Sequence, residues 1–168
     1  MAEVRDSDVT LQAAVPGDEA ALLALIRGLA EYERLAHEVV ATEELLREQL
    51  FGARPPAEAV IARVAGEPVG FALFFTSFST FVGRAGLFLE DLFVLPAWRG
   101  HGIGTRLFRH VARIAVARQS GRMEWSVLDW NEPALRFYRS LGAQPMGDWT
   151  MQRLTGEALV RAGSSASA

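Results

Sequence analysis

The chain has 168 residues, a net charge of −3 and a composition that is 50% hydrophobic. That length suits one compact domain, and the apolar content excludes global disorder. No apolar run is long enough to span a bilayer and no charged-then-apolar leader opens the chain, so the reading is a soluble cytoplasmic protein with no membrane partner. The slight acidity argues against nucleic acid as the main partner. There are no cysteines, which removes disulfides, thiolate metal sites and a cysteine nucleophile. There are no lysines either; all 17 basic side chains are arginine, so no lysine Schiff base can form.

In chain order, residues 8–15 predict a first strand, stopped by Pro16-Gly17, and Asp18 is placed to cap a helix over 19–36 that carries Leu22, Leu25, Ile26 and Leu29 at helical spacing. Thr42 caps a second helix, with Glu43 and Glu44 in its first turn, running to about Leu50. Residues 57–65 and 68–78 read as a hairpin about Gly66, Ser77–Gly86 as a looser loop, and Leu87–Leu95 as the next strand. A helix over about 103–119 turns Leu107, Phe108, Val111 and Ile114 inward. A strand at 122–128 follows, then a helix capped by Asn131 with Pro133 in its first turn and an end at Gly142. A last strand or pair of strands is expected over 144–154, and 163–168 as a disordered tail to a single domain over 1–162. Three consecutive strands before the third helix predict a mixed α/β sheet, partly antiparallel, with helices on both faces.

One stretch carries chemistry. Arg99-Gly100-His101-Gly102-Ile103-Gly104-Thr105 joins a strand to a helix start. Alternating glycines let backbone N–H groups converge, and the helix N-terminus adds its own donors and dipole, which together make an anion site suited to phosphate. Arg99 at the lip adds a fork-shaped cation. A Walker loop requires lysine, and a dinucleotide fingerprint requires a glycine at position 105, where the chain has Thr105. The pattern that fits is Arg-x-x-Gly-x-Gly.

That loop, in that order of elements, resembles the pyrophosphate loop of the GNAT superfamily of CoA-dependent N-acyltransferases over about residues 4–156. Within it, Leu89-Glu90-Asp91-Leu92-Phe93-Val94, the block from Trp130 to Arg139, Gly142 and Tyr32-Glu33 are similar to the diamine (spermidine/spermine) acetyltransferases, a group that includes the thialysine acetyltransferases. The resemblance implies the GNAT fold and acetyl-CoA as co-substrate. It implies that Arg99, Gly100, His101, Gly102, Ile103, Gly104 and Thr105 hold the pyrophosphate. It implies that the backbone of Leu92, Phe93 and Val94 pairs with the pantetheine arm, and that Asn131, Glu132, Pro133 and Ala134 touch the arm's far end. Tyr138 would stand by the thioester sulfur. Tyr32, Glu33, Glu90, Glu124, Trp125 and Ser126 would line the acceptor pocket, and a homodimer is implied.

Aminolysis of a thioester needs a base for the ammonium, a polarised carbonyl and a proton for the thiolate. Glu90 and Asp91 are neighbours on a strand and should face opposite sides unless a bulge intervenes; the resemblance assigns the base to Glu90 and leaves Asp91 a structural residue. A phenol ionises above a thiol, so Tyr138 suits the acid. The histidines His37, His101 and His110 are scattered, and no metal is expected. The expected function is acetyl transfer to a primary amine of a small cationic acceptor of diamine or polyamine type, with Glu33, Glu90, Glu124 and Asp148 as a possible acidic pocket. Ser79 stands where diamine enzymes carry an acid, which keeps a thialysine or other amino-acid amine open as the alternative. A CoA-binding sensor is the non-enzymatic alternative, and a dinucleotide enzyme is disfavoured by glycine spacing.

Overall fold

The computed structural model describes residues 8–164, which divide into two compact units, one ending at Ser126 and one beginning at Val127. The expected tail overlaps the last described helix at Gly163 and Ser164 and otherwise lies outside the described residues, as do residues 4–7 of the resemblance.

The first unit holds a five-stranded sheet in the order β1 (Val9–Ala13), β2 (Glu58–Val64), β3 (Glu67–Ser79), β4 (Arg84–Val94) and β5 (Met123–Trp125). The first four are antiparallel neighbours, and β5 runs parallel to β4. The mixed sheet is the one expected. The β2–β3 connection is the two-residue turn Ala65-Gly66, both at positive φ, which matches the twist of a hairpin. The loop expected over 77–86 is mostly ladder instead: Ser77, Phe78 and Ser79 pair with Gly86, Ala85 and Arg84, leaving only 80–83 as the turn. Polar residues at Ser77 and Ser79 broke the apolar pattern, but pairing satisfies backbone groups irrespective of side-chain polarity.

Helices α1 (Glu19–Tyr32) and α2 (Glu43–Phe51) cover one face. Leu22 and Leu25 of α1 pack with Ala59, Ile61, Phe71 and Phe93, and Leu46, Leu50 and Phe51 of α2 join them. α1 approaches β4 closely at Gly28, where a Cβ would stand 3.1 Å from the Phe93 ring. It ends earlier than its apolar spacing suggested, because Arg34 takes φ 63. Asp18 does not cap it: its carboxylate accepts from the Val15 N–H and pairs with Arg63 of β2. Thr42 does cap α2, accepting from the Leu45 N–H at 3.2 Å.

The opposite face carries α3 (Ile103–Ala117), with Ile103, Leu107, Phe108 and Val111 buried. Arg106 donates to the Val9 carbonyl at 2.7 Å, so a first-turn arginine of α3 is tied to β1.

The second unit contains α4 (Glu132–Ser140), capped by Asn131 Oδ1 on the Ala134 N–H at 3.3 Å, and α5 (Gly156–Ser164). The strands expected over 144–154 are absent: those residues have no regular structure, and Met146, Trp149, Met151 and Leu154 are exposed. Trp149 and Met151 alternate as a strand would, but a strand exists only where a neighbour takes its N–H and C=O groups, and no described residue pairs with this segment.

Candidate active site

The site begins with a fault in β4. Leu73 of β3 lies opposite Asp91 and the next residue, Phe74, opposite Leu89, so Glu90 has no partner and the strand bulges there. The bulge reverses the phase of β4. Phe93, opposite Phe71, packs under α1, and Asp91, two residues earlier, shares that face. Leu89, opposite Phe74, turns to the α3 face. The sequence expectation placed Glu90 and Asp91 on opposite faces unless a bulge intervened; the bulge is present, and it leaves Glu90 exposed at a kink, within electrostatic reach of Asp91.

Asp91 is the perturbed group. Burial pushes its carboxyl up to about 7, and the charges of Glu90 and Glu33 push in the same direction. Among the described residues no ion pair includes Asp91, so the pairing with an arginine that a structural role would bring is not formed. Glu33, the residue that closes α1, is itself raised by burial. Glu90 and Glu33 thus both act on Asp91, and among the described residues none of the three is in a salt bridge. An electrostatic environment of that kind attracts an ammonium. The sequence reading left Asp91 a structural role; its position beside a bulge is set by pairing with β3, which the strand's own residues do not record.

The same fault opens an edge. Pairing with β5 stops at Leu89↔Trp125, so β4 beyond that point has no strand on its β5 side. Leu95 donates to the Val69 carbonyl of β3 at 2.9 Å, and alternation therefore turns the groups of Val94 and Leu92 to the open edge and those of Phe93 into the β3 ladder. An extended ligand can add there as a strand does.

β4 ends in a turn at Pro96–Trp98 and then in the glycine loop. Gly100 has φ 83 and Gly102 φ 74, conformations that side-chain-bearing residues rarely adopt, and Gly102 is the N-cap of α3. Ile103, Gly104 and Thr105 form the first turn, whose N–H groups have no intrahelical acceptors. A Cβ on Gly104 would reach Val94 Cγ2 at 3.9 Å, so this turn, with its free N–H groups, stands beside the open edge. His101 lies between the two left-handed glycines. Arg99 does not project into the loop: its Nε donates to the Val94 carbonyl at 3.0 Å and its guanidinium lies 4.3 Å over the Tyr32 ring.

On β5, the Glu124 carboxylate is held by Arg122 at 2.8 Å. Trp125 packs edge-on to Phe108 of α3, at 5.2 Å and 85°. Ser126 is the last residue of the first unit. The acidic pocket drawn from Glu33, Glu90, Glu124 and Asp148 thus reduces, within the first unit, to Glu33 and Glu90 joined by Asp91. In the second unit Asn131, Glu132, Pro133 and Ala134 form the start of α4; Glu132 pairs with Arg136 and Arg139, and the Tyr138 ring stands 5.1 Å from that of Phe137. A separate cavity of about 160 Å³, lined by residues including Leu50, Phe51, Glu58 and His110, holds none of the expected site residues. Among the described residues no group of His, Cys, Asp or Glu is arranged to hold a metal ion, and no helix is long and apolar enough to cross a membrane.

Residues 25–143 match the family model described as acetyltransferase (GNAT) family. The chain is 39% identical to the thialysine N-epsilon-acetyltransferase of Bos taurus over 162 residues, covering 90% of this chain and 95% of that protein. It is 31% identical to the L-ornithine N5-acetyltransferase NATA1 of Arabidopsis thaliana, covering 89% of this chain and 85% of that one. It is 30% identical to the human spermidine/spermine N(1)-acetyltransferase-like protein 1, covering 86% of this chain but 22% of that protein. Among solved structures, an integron cassette protein from V. cholerae superposes with a TM-score of 0.79 at 25% identity, covering 94% of this chain and 99% of the other.

Proposed function

Because the chain belongs to the acetyltransferase (GNAT) family, whose members use acetyl-CoA as co-substrate, we propose that its acceptor is the side-chain amine of a small cationic amino acid of the thialysine or ornithine kind. The observation that supports this acceptor is the group Glu33, Glu90 and Asp91 at the kink of β4, a concentration of negative charge with no cation of its own. The printed activities of two relatives that span most of the chain point the same way. A diamine or polyamine acceptor is the second reading, favoured by the spermidine/spermine-type relative; Ser79, buried and bonded to the Val82 N–H, supplies no charge on β3 for a second ammonium.

The loop amides from Gly100 to Thr105 would hold the pyrophosphate and the open-edge groups of Leu92 and Val94 the arm; contact of Asn131, Glu132, Pro133 and Ala134 with the arm's far end rests on the family resemblance alone. When bound, the cofactor supplies an activated acetyl group on sulfur. The chain's part is then positioning and proton transfer. Glu90 and Asp91 share the task of taking a proton from the acceptor ammonium, which otherwise titrates near 10 and is not nucleophilic at neutral pH. A β4 amide on the open edge stabilises the oxyanion. As the C–N bond forms and the C–S bond breaks, Tyr138 would give its proton to the departing thiolate, and the proton that the new amide nitrogen sheds would restore the phenol.

The direct test is a screen of thialysine, L-ornithine, L-lysine, putrescine and spermidine with acetyl-CoA. Amino-acid amines are expected to give the higher kcat/KM; a preference for spermidine would replace this acceptor with the second reading, and turnover of none would leave a CoA-binding module. Tyr138→Phe, which keeps the ring and removes the proton, is expected to lower kcat about 10²-fold or more, the usual weight of a general acid. A kcat within twofold of the unaltered enzyme removes Tyr138 from the mechanism.

A further inference from the structure

We infer that Arg99 is a positioning residue that links the glycine loop to the acceptor side of the site, so that cofactor held by the loop tightens the binding of the amine. The inference rests on the reading just given and adds to it a coupling between the two ligands.

Arg99 precedes Gly100, the first left-handed residue of the loop, but its side chain turns away from the loop. The Nε donates to the Val94 carbonyl, on the open edge of β4, at 3.0 Å. The guanidinium carbon lies 4.3 Å above the centroid of Tyr32 and 5.6 Å from that of Phe93, within the range of attraction between a cation and an aromatic face. Among the described residues no carboxylate pairs with it. Tyr32 is the last residue of α1, and Glu33, which follows it, is one of the two charges that act on Asp91. The contacts therefore run from the loop, through Arg99, to the end of α1 that carries an acceptor carboxylate.

The amides of a Gly-x-Gly loop converge on an anion, and an anion bound there holds that backbone in one conformation. Occupying the loop immobilises the backbone of Arg99, and a fixed Arg99 holds Tyr32 and with it Glu33. An ordered carboxylate costs the incoming ammonium less to engage. The coupling is reciprocal by necessity, so the amine must tighten the cofactor by the same factor. This places Arg99 in a different role from the phosphate ligand that the loop motif alone suggests.

Calorimetry with CoA and thialysine as the probes separates the two roles. In the unaltered protein, saturating CoA is expected to tighten thialysine about fivefold, the lower end of ordinary coupling between sites. Arg99→Gln and Tyr32→Leu should each reduce that factor below twofold while CoA alone binds within about threefold of its original affinity. Tyr32→Phe keeps the aromatic face and should retain the coupling. If Arg99→Gln instead weakens CoA tenfold and leaves the thialysine factor at five, the guanidinium is a phosphate ligand and the inference falls. If thialysine gives no heat with the unaltered protein, the acceptor assignment is what fails. Hydrogen exchange then decides the coupling: CoA should slow exchange at residues 31–34 in the unaltered protein and not in Arg99→Gln, and equal slowing in both overturns it.

Discussion

Asp91→Asn is expected to lower kcat/KM at pH 8 by about 10²- to 10⁴-fold, the range that a positioned proton acceptor contributes, and at the same time to make the protein more stable. Both effects follow from one carboxylate that burial and the charges of Glu90 and Glu33 hold up at about 7. Between its ordinary value near 4 and about 7, the folded chain keeps a proton on Asp91 that the unfolded chain has released. Stability on account of this group therefore falls as pH rises through that window and is lowest, and level, above it. Asparagine removes the penalty, so the Tm of Asp91→Asn should exceed that of the unaltered protein at pH 8 and approach it near pH 4. For activity the sign is reversed, since only the ionised form takes a proton. The acidic limb of kcat/KM should lie near 7, and that of kcat lower, because a bound ammonium favours the carboxylate. Glu90→Gln deletes one of the two charges that raise Asp91 and should move the limb to lower pH. A limb that stays in place in Glu90→Gln and survives in Asp91→Asn would assign the titration to some other group.

Phe71→Ala is expected to cost about 3–5 kcal/mol of folding free energy, the usual range for emptying a buried aromatic site. Phe71 is fully buried, lies opposite Phe93 across the β3–β4 ladder and packs with Leu22, Leu25, Ala59 and Ile61. Its ring thus supports both the strand that carries the open edge and the helix that carries Tyr32 and Glu33. Urea unfolding should show a lower midpoint with an unchanged slope. A loss under about 1 kcal/mol would mean that the α1–sheet layer collapses to fill the space and is not the rigid support of the site.

Much of the site was legible in the residues. Gly100 and Gly102 pointed to a loop whose backbone amides can converge, and the helix start behind them to a place for an anion; φ values of 83 and 74 are conformations that glycine adopts freely. The β2–β3 hairpin and the caps Thr42 and Asn131 were equally local, since each depends on residues within a few positions. The strands expected over 144–154 failed for the complementary reason. Alternation reports which side of a strand is buried, but a strand also needs a neighbour, and pairing is not written in the segment itself.

By itself the sequence determined the order of elements as far as α4, the mixed sheet, the loop that can cradle a phosphate, and a family resemblance that the family match bears out. Three things were decided only in three dimensions. One is the bulge at Glu90, which exists because β3 and β4 differ by a residue in register and beside which Asp91 feels the charges of Glu90 and Glu33. Another is the early end of β5, which leaves the edge of β4 open from the kink onward. The last is the turn of Arg99 away from the loop toward Val94 and Tyr32. Each depends on groups brought together from distant parts of the chain, and local spacing carries no record of them because burial, register and charge proximity are properties of the packed sheet.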